Sequence, residues 1–175
     1  MLFLWISCPS KVIFLSADEI TAINIYAVTL SGEPHGFNNE SLLESSANAP
    51  KHYCLYQGCD NVLMLGAVLA ESLTRNHIYR QGNKRTALAA MQRLIEINGW
   101  EIYCPDDDGW LADLIEDLST KKITREELFE QISFCAIPYG SEEEPDGFEP
   151  FVGRPFEPEP FVAEPFVPSK FDPSK

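Results

Sequence analysis

The chain has 175 residues, with 27 acidic against 13 basic side chains, a formal net charge of −14, 45% hydrophobic and 11% aromatic residues. That is enough to bury the core of one domain, since domains mostly run to about 100–150 residues. The acid excess lies in both parts of the chain, 18 acidic and 10 basic residues over 1–140 and 9 and 3 over 141–175. It argues against a general nucleic-acid binder, whose affinity comes from Lys and Arg releasing counterions from phosphates.

Met1 to Ile6 is apolar but far shorter than the ~18 residues of a membrane span, and no Lys or Arg precedes it. Residues 1–11 are therefore read as a leader segment outside the domain. The chain is expected to be soluble and cytoplasmic, with no membrane and no nucleic-acid partner. The five cysteines, at 8, 54, 59, 104 and 135, form no C-x-x-C pair and have no His partners at zinc spacing. Buried, reduced thiols are expected.

The domain is placed at 12–138. Ser16-Ala17-Asp18-Glu19 has the capping-box spacing, and Ile20, Ile23 and Ala27 then recur at helical intervals, which predicts a helix from about Ala17 to Leu30. Asn38 or Asn39 is expected to cap a short helix through Ser41–Glu44 that stops before Pro50, because the residue before proline is pushed out of the α region. Lys51 to Cys59, rich in Tyr and containing Gln57-Gly58, reads as an irregular loop or small hairpin. Asp60 is expected to cap a long apolar helix from Val62 to Leu73, the centre of the domain, with Gly66, Ala67 and Ala70 allowing close packing.

Asn83 or Lys84 starts another helix through Ala87, Met91, Leu94 and Ile95, which Gly99 can end in a left-handed cap. Trp100 to Cys104 is too short and isolated for more than an edge strand. Asp106 to Asp108 are expected to cap a helix through Trp110, Leu111, Leu114 and Leu118, and Thr124-Arg125-Glu126-Glu127 repeats the capping-box spacing before Leu128 and Ile132. His35 and His52 lack metal-ligand partners and read as loop residues; Trp100 and Trp110 read as packing.

Residues 139–175 are a different material. Phe recurs at 151, 156, 161, 166 and 171, and Glu-Pro-Phe-Val at 149, 159 and 164. Such frequent Pro removes amide donors and fixes φ, so an extended or disordered acidic tail is expected. Its evenly spaced Phe side chains also suit docking into an aromatic groove.

The chemistry sits in His77-Ile78-Tyr79-Arg80-Gln81-Gly82-Asn83-Lys84-Arg85-Thr86-Ala87, between two predicted helices. A glycine turn followed by Asn, Lys and Arg at a helix start presents backbone amides, the positive end of the helix dipole and two cations to one small volume. That suits an anion, phosphate above all, although an ordinary exposed helix start has the same composition. His77, at the other end of the loop, is placed to act as a general base over the same volume. The run is not a Walker loop, because the glycine spacing before its Lys is absent.

The same residues resemble the Fic/Doc (Fido) superfamily, whose motif is His-x-Phe-x-Asp/Glu-Gly-Asn-Gly/Lys-Arg; here it reads His77, Tyr79, Gln81, Gly82, Asn83, Lys84, Arg85. The resemblance runs over roughly residues 12–135, from Phe14-Leu15-Ser16 and Ile20 through His35-Gly36-Phe37 and Leu42 to Pro50, and on to Ile97-Asn98-Gly99-Trp100. It implies a mainly α fold, a helical bundle with a small β-hairpin flap, followed here by the Pro/Phe-rich tail. Lys84 in place of Gly, and Leu88 where the adenylylating branch keeps a second Arg, are similar to the Doc, or death-on-curing, branch.

That branch implies a toxin of a toxin–antitoxin pair: an ATP-dependent kinase that modifies a hydroxyl on elongation factor Tu and is neutralised by a Phd-like antitoxin. AMP transfer is the alternative within the superfamily. By the resemblance His77 is the base, Gly82, Asn83, Lys84 and Arg85 hold nucleotide phosphates, and Tyr79 replaces a core Phe, so that its hydroxyl needs a partner. The segment Lys51, His52, Tyr53, Cys54, Leu55 and Tyr56 corresponds to the flap that docks the target as an added strand. Gln81 stands where the family keeps the carboxylate that holds magnesium, and an amide oxygen is a weak ligand for that ion. The readings left open are an enzyme with altered metal use and a pseudoenzyme that binds a nucleotide or a protein through its fold and tail. The inhibitory Ser/Thr-x-x-x-Glu-Gly/Asn spacing of some relatives is absent, so inhibition is expected from an antitoxin or from the acidic tail.

Overall fold

A computed structural model describes residues 12–103 and 109–139. The readings of residues 1–11, of the Asp106–Asp108 cap and of the Pro/Phe repeat fall outside the described residues.

Helix α1 (Ala17–Leu30) begins at the expected capping box: the Ser16 hydroxyl accepts from the Glu19 amide at 3.2 Å, and Glu19 Oε2 accepts from the Ser16 amide at 2.7 Å. Its buried stripe is Ala17, Ile20, Asn24 and Val28, spaced three and four apart, so one face enters the core. A strap of residues 33–39 then leads through a 3₁₀ turn (Glu40–Leu42) to α2 (Leu43–Ala47) and α3 (Ala49–Gln57).

The loop or hairpin expected at Lys51–Cys59 is helix up to Gln57. Pro50, read as a stop, occupies the first turn of α3, where a missing amide costs nothing and the fixed φ suits the helix. Pro50 and Cys54, four apart, bury the inner face, and Gly58 ends the helix with φ +65°. The flap-like segment Lys51, His52, Tyr53, Cys54, Leu55 and Tyr56 therefore lies within a helix and offers no strand edge for a target to extend. Cys59 is a free thiol, whereas Cys54 is disulfide-bonded, which corrects the expectation of reduced thiols at that position.

Helix α4 (Val62–Asn76) is the central helix and packs on α2, α3, α5 (Asn83–Ile97), α6 (Trp110–Ser119) and α7 (Arg125–Ser133). Its cap is Asn61 rather than Asp60: Asn61 Oδ1 accepts from the amides of Leu63 at 3.0 Å and Met64 at 3.3 Å. A Cβ on Gly66 would meet Ile95 Cδ1 at 3.0 Å and Met91 Cγ at 3.2 Å, so the missing side chain is what lets α4 and α5 cross closely. Leu65, Leu69 and Leu73 from α4 and Met91, Leu94 and Ile95 from α5 are all buried in the core.

After α5, Gly99 turns with φ +81° into β1 (Trp100–Ile102). The strand is not isolated: β2 (Ala136–Pro138), which follows α7, pairs with it antiparallel, Glu101 opposite Ile137. This is the small sheet of the fold, and it is built from other residues than the segment where a hairpin was expected. Thr124 and Glu127 close the start of α7 as a second capping box. Among the described residues no helix is long and apolar enough to cross a membrane.

Candidate anion-binding site at the start of α5

The loop between α4 and α5 carries the site, and its shape follows from where its backbone is anchored. His77 ends α4 in the left-handed region, φ 43° and ψ 51°, a conformation that costs a residue with a side chain about 1–2 kcal/mol. Ile78 and Tyr79 then plunge into the core, both almost fully buried. The Tyr79 hydroxyl meets Thr21 Oγ1 at 3.2 Å, which supplies the partner that a Tyr in place of Phe requires; burial pushes the phenol up, and the Thr21 hydrogen bond partly offsets that.

Two supports hold the loop open. Asn83 staples it from within: its Oδ1 accepts from the Tyr79 amide at 2.9 Å and its Nδ2 donates to the Tyr79 carbonyl at 2.6 Å. The strap holds it from outside. Arg80 N donates to Gly36 O at 2.8 Å, Asn38 N donates to Ile78 O at 2.8 Å, and Asn39 Nδ2 donates to Asn76 O at 3.3 Å and His77 O at 3.5 Å.

Gly82 is the N-cap of α5, with φ +75°, and no side chain caps this helix. The first amides of α5 thus keep the open, positive end of the helix dipole. A Cβ on Gly82 would lie 2.8 Å from Val28 Cγ1 and 3.2 Å from Asn24 Nδ2, so the turn is pressed against α1. Asn24, fully buried on α1, donates from Nδ2 to the Gln81 carbonyl at 3.0 Å and to Thr86 Oγ1 at 2.9 Å, and its Oδ1 faces His35 Nδ1 at 2.8 Å.

His77, Gln81, Gly82, Asn83, Lys84 and Arg85 line a single cavity of about 370 Å³, together with Thr74, Arg80 and Ser119. The fold thus brings the sequence-derived base and the phosphate-clamp residues to one place. Within the clamp the parts differ. The Asn83 side chain is committed to the Tyr79 backbone, which leaves its main-chain amide as its contribution to a ligand. Lys84 pairs with Glu116 on α6, and Arg85 pairs with Glu33 while also donating to Ser31 Oγ and, at 2.9 Å, to Ala27 O. The Arg85 guanidinium, with help from the Ser31 hydroxyl, holds the Glu33 carboxyl below its ordinary value. Both ion pairs are solvent-exposed and therefore screened and weak, so an anion of higher charge can compete for both cations.

Toward a divalent cation the same walls are poorly suited. They include an amide side chain from Gln81 and hydroxyl side chains from Thr74 and Ser119 but no carboxylate, and among the described residues no three His, Cys, Asp or Glu side chains converge. The residues present do not fit a protein-held magnesium ion.

The helix α3 residues do not join this cavity. His52, Tyr53 and Tyr56 line a separate one of about 450 Å³ with Glu71, Arg75 and Arg125, where Arg125 stacks over the Tyr53 ring at 5.0 Å and both arginines reach Glu71 at 3.1 Å. Sequence reasoning missed Asn24, Glu33 and Glu116, and it read His35 as an ordinary loop residue. Only Asn24 left a signal, as a polar side chain in the otherwise apolar buried stripe of α1.

Comparison with known proteins agrees with this geometry. The sequence model of the Fic/DOC family matches residues 14–95, from the entry into α1 through the loop and most of α5. A relative named Toxin Doc, from Mycolicibacterium smegmatis (strain ATCC 700084 / mc(2)155), is 40% identical over 55 residues, 31% of this chain. That match spans 42% of the relative's own length. The buried Tyr79 anchor, the glycine turn and the uncapped start of α5 lie inside the matched region, so the candidate site falls in the part of the chain that is similar to the Fic/DOC family.

Proposed function

We propose that this chain is the toxin of a toxin–antitoxin pair and acts as an ATP-dependent transferase of protein-kinase type on a protein hydroxyl. The observation that carries the reading is the single cavity lined by His77, by Gly82 and Asn83 at the uncapped start of α5, and by the cations Lys84 and Arg85. The name of the relative, Toxin Doc, supports the toxin role and with it an antitoxin partner, which we propose to be of the Phd kind. Elongation factor Tu is the proposed target.

In the proposed chemistry the terminal phosphates of ATP lie on the amides of Gly82 and Asn83, and Lys84 and Arg85 take up the charge that spreads onto the phosphoryl oxygens. His77 accepts the proton of the target hydroxyl as its oxygen attacks the terminal phosphorus, and ADP leaves. No step is assigned to magnesium, because the cavity has no carboxylate to hold it.

The missing carboxylate favours a second reading, a domain that binds a nucleotide or a protein partner without turnover. AMP transfer is a third outcome, told apart by which phosphorus is transferred. The deciding experiment incubates the protein with a bacterial lysate, magnesium and ATP labelled at either the α or the γ position, beside His77→Ala and Gln81→Asp. Label from the γ position that disappears in His77→Ala supports the kinase reading. Label from the α position means nucleotide transfer. No label from the parent chain, with label restored by Gln81→Asp, leaves the binding-only reading.

A further inference from the structure

Asn24 lies on α1, outside the loop, yet it is bonded to the one peptide group that decides what the cavity presents. In a trans peptide the C=O and the following N–H point in opposite directions. The Gln81 carbonyl is held toward α1 by Asn24 Nδ2 at 3.0 Å, so the Gly82 N–H points away from Asn24, and Gln81, Gly82 and Asn83 all line the cavity. Gly82, at φ +75° and without a Cβ, lacks the steric restraint that would fix this plane in another residue. If the plane rotated by half a turn, a carbonyl oxygen would face the cavity and repel an anion.

We propose that Asn24 is a positioning residue that locks the Gln81–Gly82 peptide with its N–H toward the cavity, and so sets the loop in its anion-accepting state. The orientation of the Asn24 amide is unambiguous. The Gln81 carbonyl can only accept, so the atom facing it is Nδ2, and Oδ1 faces His35, whose Nδ1 must carry the proton it donates. The second Nδ2 hydrogen goes to Thr86 Oγ1 on the first turns of α5. One buried side chain thus ties together α1, the strap, the loop and the helix whose amides form the site.

This inference rests on the reading of the loop as an anion site only for its functional consequence; the peptide orientation is testable without any ligand. The experiment uses the full chain and three variants, Asn24→Ala, Asn24→Asp and Thr86→Val. It reads the NMR shifts of the Gln81 carbonyl carbon and the Gly82 amide, the melting temperature, and the affinity for inorganic phosphate. Asn24→Ala is expected to move both shifts and weaken phosphate binding about tenfold. Asn24→Asp, whose introduced carboxylate repels the carbonyl and attracts the amide, is expected to move the shifts further and abolish binding. Thr86→Val, which cuts the bond to α5 but keeps the one to Gln81, should lower the melting temperature while leaving the shifts and the affinity within about twofold of the parent.

The proposal is overturned if Asn24→Ala leaves the two shifts in place, or if Thr86→Val disturbs them as much as Asn24→Ala does. If the parent chain binds no phosphate, the anion reading of the loop falls, and the shifts still decide whether Asn24 sets the peptide.

Discussion

The N-terminus of α1 and the N-terminus of α5 meet the same requirement, orphan amides at a helix start, in opposite ways. At α1 a Ser and a Glu three residues apart close the end on itself, and at α7 a Thr and a Glu repeat the device. At α5 the cap is a glycine that brings no side chain, and the loop before it is tied down through other groups, Asn24, Asn83 and the strap. A closed end contributes stability and nothing else. An open end, held by its neighbours, leaves free donors at a cavity that is also lined by three cations, Arg80, Lys84 and Arg85, and by a histidine.

The comparison breaks most severely at Gly82. Gly82→Val forces a side chain into left-handed backbone, at about 1–2 kcal/mol, and against Val28, where overpacking adds about 1–3 kcal/mol. Urea unfolding should register that loss, and phosphate binding should vanish with it. Next in size, Lys84→Ala and Arg85→Ala should each weaken phosphate binding roughly tenfold, about 1.4 kcal/mol, read by calorimetry. Their effect on stability should be small, because the pairs they break are exposed.

The closed ends should show the reverse. Ser16→Ala and Thr124→Ala are expected to cost about 1 kcal/mol each in urea unfolding and to leave phosphate affinity unchanged. A loss of affinity in either would mean that the site depends on general stability and not on its own supports. Glu33→Gln, which releases Arg85, should raise phosphate affinity by about two- to threefold at low salt.

The smallest effect is with pH. The Glu19 and Glu127 carboxyls are held below their ordinary 4.5 by hydrogen bonds from the Ser16 and Thr124 backbones and hydroxyls. A carboxyl whose folded value is depressed contributes stability that is complete above the unfolded value and is lost as pH falls through the folded one. The melting temperature should therefore decline as the pH is taken below 4.5, and Glu19→Gln and Glu127→Gln should flatten that decline.

The same comparison explains what could be read from the sequence. Closed helix ends are local: Ser16 with Glu19 and Thr124 with Glu127 lie three residues apart, so α1 and α7 were legible to the residue at their starts. The apolar periodicity of α4 and α5, and the glycine before Asn83, were equally local. Pro50 misled because proline stops a helix and also starts one, and nothing nearby distinguishes the two. The strand pair of β1 and β2 joins Glu101 to Ile137 across two helices, which no local pattern reveals. The supports of the open end are of that second kind. Asn24 reaches Gln81 and Thr86, and Glu33 reaches Arg85, over separations of more than fifty residues. The residues of the candidate site were visible in one stretch of sequence; what holds them in shape was not.

The strap of residues 36–39 carries a practical consequence. It lies along Ile78 to Arg80 as a short antiparallel neighbour, Phe37 bridged to Tyr79, with the Phe37 and Tyr79 rings 5.3 Å apart. A synthetic peptide copying residues 77–87, or that stretch grafted onto another helical hairpin, would carry the histidine, the amides and the cations of the site and is expected to bind no phosphate. The smallest transplantable unit runs from Ser16 to the end of α5, because the curvature of the loop is lent to it by chain that comes earlier.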